Sequence, residues 1–189
     1  MSTSISMFVE RRDGDTWVPA QRTYEHVTPW GSGSYKDTRV VEEDAVDPGQ
    51  HYRLFAILAG VRDRDGHIKP IAEYRGLPDD ASEFIRHRID HACEPHCATH
   101  FTVRELLDYD WDSQSVSDSG FVTKEEAERI KREGGAPSEC RFSAYNEFTE
   151  EVTWTQTMRQ ECDYFLTTVL PSLAKFGDLN SLRLVMWFD

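Results

Sequence analysis

The sequence predicts one α+β domain whose mostly antiparallel sheet holds an N-terminal hairpin and a C-terminal strand, packed by a long C-terminal helix and several short helices. Three observations predict it. Residues 4–11 alternate, with Ile5, Met7 and Val9 on one side, and run through Asp13-Gly14-Asp15 into Thr16-Trp17-Val18, a hairpin signal. Residues 181–188 carry Leu182, Leu184, Val185, Met186 and Trp187, enough to fill both faces of a central strand. Between Trp154 and Lys175, the residues Met158, Cys162, Phe165, Val169 and Leu173 recur at helical spacing. At 189 residues the chain has room for a single domain spanning 1–189. A chain of that size buries roughly 70% of its unfolded surface, so it needs neither disulfides nor a metal merely to fold.

The remaining elements follow in order. Residues 21–47 are polar and read as a surface excursion with one short strand at 38–41, Gly31 and Gly33 lying beside Trp30 and Tyr35. Asp47 is the expected N-cap and Pro48 the first residue of a helix carrying Tyr52, Phe55, Ala56 and Ala59, which Gly60 ends. A short extended stretch interrupted by Pro70 covers 68–75. A break at 76–80 leads to a helix over 81–91, with Asp79 and Asp80 supplying negative charge at its N-terminus. Thr102 with Glu105, and Thr123 with Glu126, are capping boxes for two more helices. The second of these is charged, and it stops at Gly134-Gly135. Residues 110–120 read as a loop, 141–152 as an acid-rich strand region, and 154–175 as the longest helix, kinked by Pro171 and closed by Gly177.

Acidic residues outnumber basic ones by 34 to 21, a formal charge of −13. No basic stripe for nucleic acid is visible, and an anionic membrane surface would repel the chain. No apolar run reaches the roughly 18 residues needed to span a membrane. Residues 1–10 lack the basic start and apolar middle of a signal peptide. Cys93, Cys97, Cys140 and Cys162 fit reduced thiols better than a disulfide framework. The expected compartment is therefore the bacterial cytoplasm.

The densest reactive constellation is His87, His91, Cys93, His96, Cys97 and His100. Zinc takes four nitrogen or sulfur ligands, and His91, Cys93, His96 and Cys97 are the set proposed for it, although no standard finger spacing is present. The bland alternative is ordinary surface histidines with cysteines tucked against the core. Cys97 beside His96 and His100 could also be an activated thiolate, but no third orienting group is apparent. Asp108, Asp110 and Asp112 have the alternation of a cation loop but lack the glycine and bidentate glutamate of an EF-hand, and the intervening Tyr109 and Trp111 look like packing anchors. Glu147, Glu150 and Glu151 form a second acidic group. No Walker loop, dinucleotide fingerprint, nucleophile elbow or zincin helix occurs.

Residues 54–62 (Leu-Phe-Ala-Ile-Leu-Ala-Gly-Val-Arg), 70–80 (Pro-Ile-Ala-Glu-Tyr-Arg-Gly-Leu-Pro-Asp-Asp) and 184–189 (Leu-Val-Met-Trp-Phe-Asp), with 102–107 and Tyr109-Asp110-Trp111, carry a resemblance. Through them the chain resembles a widespread family of uncharacterised phage and prophage proteins that typically open Met-Gly-Cys-Asp-Ile-His. The likeness covers nearly the whole chain. Where the family has Cys, Asp and His, this chain has Thr3, Ser4 and Ser6, and His96 aligns with a family histidine. The resemblance implies that a Cys/Asp/His site of the kind that binds metal or moves protons is replaced here by hydroxyls, which are poor ligands and poor bases.

The reading favoured on these grounds is a non-enzymatic phage protein that antagonises a host defence as an anti-CRISPR-type inhibitor. Its acidic residues Asp108, Asp110, Asp112, Glu147, Glu150 and Glu151 would face the basic groove of a host protein or ribonucleoprotein complex. It expects no direct nucleic-acid binding and no membrane, is compatible with a homodimer, and needs no cofactor, zinc being the one the His/Cys cluster admits. The alternatives are a metal-dependent hydrolase of a nucleotide or phosphoester built on His96, and a protein sequestering a nucleotide signal against Trp30, Tyr35 and Tyr74.

Overall fold

The computed structural model describes residues 3–30, 33–63, 66–73 and 75–189. These form eight strands: β1 (Ile5–Asp13), β2 (Thr16–Pro19), β3 (Thr23–Trp30), β4 (Gly33–Val40), β5 (His96–Thr102), β6 (Ser115–Thr123), β7 (Phe148–Thr157) and β8 (Leu182–Phe188). Four helices are α1 (Tyr52–Ala59), α2 (Glu83–Asp90), α3 (Val103–Asp108) and α4 (Lys124–Glu133). A C-terminal helical segment over 158–176 passes from α-helix (Met158–Glu161) through a π-helical turn (Phe165–Val169) to a final 3-10 turn (Leu173–Phe176).

The central sheet runs β2–β1–β8–β5 and is antiparallel throughout. Every residue of β8 is buried, as its two-sided apolar sequence requires. Strand alternation sends its side chains to two cores. Leu182, Leu184, Met186 and Phe188 join Met7, Val9 and Phe101 under α1 and the C-terminal segment. Val185 and Trp187 join Phe8 and pack against Ile85 of α2. Each large side chain removed from water in this way contributes about 1.5–3 kcal/mol.

Several expected boundaries shift, each for a local reason. Residues 21–47 hold more than the one short strand expected at 38–41: β3 and β4 pair as a hairpin from Thr23↔Val40 to Trp30↔Gly33. Asp47 does not cap α1; its carboxylate accepts from the Gly49 N–H, and the imidazole of His51 accepts from Leu54 N–H as the true N-cap. Ser82 rather than Asp79 or Asp80 caps α2, which spans Glu83–Asp90. Residues 115–120, expected as loop, belong to β6, which pairs with β7. Trp154 lies in β7, and the helical segment starts after it, at Met158, behind a Thr157/Gln160 capping box. Gly120 earns its place in β6, since a Cβ there would sit 3.1 Å from the Arg141 carbonyl that pairs with Phe121. The Thr102/Glu105 box is complete, while Glu126 turns instead to Arg129 and Ser138.

The aromatic trio proposed to line a nucleotide pocket falls outside the described residues: Tyr74 wholly, Trp30 and Tyr35 in their side chains. No helix is long and apolar enough to cross a membrane, among the described residues.

Candidate functional site

The sheet register assembles a site at one end of β8. Ile5 and His96 both lie opposite Phe188, from β1 and β5 respectively. The residues just beyond that level, Ser4 and Asp189, exchange backbone hydrogen bonds of 2.8 and 3.2 Å. Thr3, Ser4, Arg62, Cys93, His96, Cys97 and Asp189, remote in sequence, therefore line one cleft of about 730 Å³.

Three local devices shape it. First, β5 carries one extra residue relative to β8, because His96 faces Phe188 while Thr99 faces Met186. Such a bulge breaks strand alternation and re-aims side chains, which is how the neighbours His96 and Cys97 both reach the cleft. Second, Arg62, Glu94 and Cys97 have φ of 62°, 50° and 50°. A left-handed non-glycine residue costs roughly 1–3 kcal/mol, and such residues concentrate at functional sites. Asn146 is the only other described example, so three of the four border this cleft. Third, the Arg62 guanidinium donates to the Thr3 hydroxyl at 2.6 Å and lies 5.5 Å over the Tyr52 ring. Gln50 donates to the Thr3 carbonyl, which ties the first described residue to the α1 loop.

Asp189 is the group whose chemistry stands out. Its Oδ1 is buried with no hydrogen-bond partner among the described residues. Burial pushes its carboxyl up from the usual range, against the opposing pull of His96. A desolvated acceptor left unmatched costs about 1–3 kcal/mol, more when charged. An incoming donor would relieve that. His96 contacts the Glu94 carbonyl through Nδ1 at 3.3 Å, which leaves Nε2 for a ligand. With Glu94, which also lines it, the site thus offers two carboxyls, an imidazole, two thiols, a guanidinium and hydroxyls.

Of the proposed zinc set, Cys93, His96 and Cys97 line the cleft, whereas His91 does not. His91 is the C-cap residue of α2, its ring 4.2 Å from that of His87 and its Nδ1 on the His87 carbonyl. His100 contacts the Gly76 carbonyl instead. Among the described residues no three His, Cys, Asp or Glu are grouped so that they could hold a metal ion. Asp189 and Arg62 escaped the sequence reading. The sheet register that brings in Asp189 and the loop after α1 that brings in Arg62 leave no local signature in the sequence.

The six acidic residues proposed as a docking face divide into two places. Asp108 pairs with Arg104 at 3.6 Å and Asp112 with Arg159 at 2.6 Å, while Asp110 accepts from the Asp112 N–H. Glu150 and Glu151 lie opposite Val122 and Phe121, six pairs along the ribbon from the Ser115↔Thr157 end nearest Asp112. At about 3.4 Å per residue that separates the two groups by roughly 20 Å. Glu147, Glu150 and Glu151 have no ion-pair partner among the described residues. No family model matches the chain, and no match was found among curated proteins or solved structures.

Proposed function

We propose that the protein is a non-enzymatic binding protein that takes a small polar ligand, of the size of a nucleotide signal, in the cleft between the start of β1, the loop after α1 and the bulged start of β5. The observation that supports this reading is Asp189: a buried carboxyl oxygen without a hydrogen-bond partner among the described residues, in a cleft bordered by three left-handed non-glycine residues. A concave site with a few convergent polar groups is where ligands bind. On the resemblance to phage proteins, sequestering such a ligand would serve to antagonise a host defence.

A thermal-shift panel of nucleotides tests it. A ligand at a hundred times its Kd stabilises by about 2.7 kcal/mol, which for a domain of this size raises Tm by roughly 5–10 °C. The shift should vanish in Asp189→Asn and in His96→Ala. A panel in which no nucleotide moves Tm, or in which both variants respond like the wild type, overturns the reading.

A second reading rests on the charge of −13 and on the unpaired carboxylates of Glu147, Glu150 and Glu151. In it the β6–β7 ribbon occupies the basic groove of a host complex in place of nucleic acid. Capture of that complex should weaken steeply between low and high salt, because exposed charges are screened over about 8–10 Å. Capture that is salt-independent, or that survives Glu147→Gln/Glu150→Gln/Glu151→Gln, sinks this form.

A further inference from the structure

A separate pocket of about 240 Å³ lies at the N-terminal end of α1, between the loop before it and the helical segment that begins at Met158. Its walls include Gly49, His51, Leu54, Glu161, Tyr164 and Phe165. We propose that it is a binding site for a small primary ammonium carried on an apolar body, with Glu161 as its counter-ion. This goes beyond the cleft reading and does not depend on it.

Charge carries the argument. The Glu161 side chain is only 10% exposed and accepts no hydrogen bond among the described residues. Burial and then the nearby Asp118 push its carboxyl up, with Arg53 acting against them. Arg53 is already committed to Asp118 at 2.8 Å. His51 does not supply the missing cation: burial, and then Arg53, hold its pKa below the usual histidine value. Its Nδ1 accepts the Leu54 N–H at 3.3 Å, so in the neutral ring the proton sits on Nε2, 3.6 Å from Glu161. Arg53 is thus held by Asp118, and among the described residues the only basic side chain within ion-pair reach of Glu161 is the His51 ring, so the carboxyl is open to a cation from the pocket.

The rest of the wall selects the ligand's body. Leu54 is buried, and Tyr164 and Phe165 line the pocket together with Glu161, a combination of aromatic and carboxyl groups that suits an ammonium. An anion would meet the Glu161 carboxyl group. A covalent role is disfavoured by the one thiol present, since burial, followed by Glu161, pushes Cys162 up to about 12 and keeps it protonated. The pocket also abuts the π-helical turn Phe165–Val169, a distortion that recurs at functional sites.

Benzylamine is the probe, titrated by NMR chemical-shift perturbation beside benzyl alcohol and benzoate. Benzylamine should bind the wild type at least tenfold more tightly than benzyl alcohol, with benzoate silent. Glu161→Gln, close to isosteric, should weaken benzylamine at least tenfold while its circular dichroism spectrum stays that of the wild type. His96→Ala, in the other cleft, should leave benzylamine binding unchanged. No binding of benzylamine, equal binding of amine and alcohol, or retention of affinity in Glu161→Gln overturns the proposal. Loss of binding in His96→Ala overturns it too, because the probe would then occupy the other cleft; a failed nucleotide panel, by contrast, leaves it standing.

Discussion

Replacing Arg183 by methionine is expected to destabilise the protein by about 3–5 kcal/mol, the range for stripping one partner from a buried ion pair. Arg183 lies in β8 directly opposite Glu10 of β1, 4% and 0% exposed. Its Nε donates to Glu10 at 2.7 Å and its Nη1 to Asp80 at 2.6 Å, while its guanidinium stacks 4.2 Å over Trp17. Glu10 in turn accepts from the N–H of Ser82, the cap of α2. Without Arg183, the Glu10 carboxylate stays in the α2-side core with that one donor. For a domain of this size the loss lowers Tm by roughly 6–20 °C. Arg183→Lys should recover only part of it, because an ammonium can neither fork between two carboxylates nor stack as a plane. The double variant Glu10→Met/Arg183→Met should be less destabilised than the two single losses added together, since it removes the stranded charge. Urea unfolding of these variants, with Glu10→Met alone to complete the cycle, decides it, and a loss under 1 kcal/mol for Arg183→Met would contradict the account. There is a pH signature as well. Hydrogen bonding to Arg183 holds the Asp80 carboxyl below its ordinary range. A carboxyl with a depressed folded-state pKa stabilises above its unfolded value and ceases to do so as pH falls through the folded one. The gap between wild type and Arg183→Met should therefore narrow as pH drops below the ordinary aspartate range.

How much of this was legible depends on whether a residue's role shows in its neighbours along the chain. The run Leu182–Phe188 announces a central strand by itself, because no other element buries seven consecutive residues on two faces of a sheet. The stripe Met158, Cys162, Phe165, Val169 and Leu173 is likewise all buried. The same periodicity misled at Trp154, four residues before Met158, where alternating Thr153, Thr155 and Thr157 belong to β7. The two peripheral ribbons were hard to read for a different reason. β6 buries only Val116, Gly120 and Val122, and β7 only Phe148, so neither shows a clean apolar face. In the cleft, Cys93, His96 and Cys97 are close enough in sequence to be noticed together. Asp189 joins them only through the β1–β8–β5 register, Arg62 only through the loop after α1, and Cys97 only through a bulge. Glu10 and Arg183, 173 positions apart, could not be paired from the sequence at all.

Trp111→Ala should be as damaging as the loss of Arg183, about 3–5 kcal/mol, while Asp108→Ala and Asp110→Ala should each change stability by less than about 0.5 kcal/mol. The contrast separates two meanings of the stretch Asp108-Tyr109-Asp110-Trp111-Asp112. If its alternating carboxylates held a divalent cation, the aspartates would carry the stability and added Ca²⁺ would raise Tm. The geometry favours the aromatic instead. Trp111 is 2% exposed, its Nε1 donates to the Leu106 carbonyl at 2.9 Å, and its ring packs edge-on to Tyr109 and against Phe165. Its own carbonyl accepts the Arg159 N–H, so one residue joins the end of α3 to the first turn of the C-terminal segment. Truncation leaves a cavity between those helices and strands a carbonyl that the indole had satisfied. Asp112 is about half exposed in its pair with Arg159, and an exposed pair contributes at most about 1 kcal/mol. Trp111→Phe should fall between, keeping most of the packing and losing the hydrogen bond. Chemical denaturation of the four variants, with and without millimolar Ca²⁺, tells the readings apart. Stabilisation by Ca²⁺ that disappears in Asp110→Ala would show that the loop is a cation site after all. A large loss confined to the tryptophan variants would show that these carboxylates are merely the solvated rim of a packed anchor.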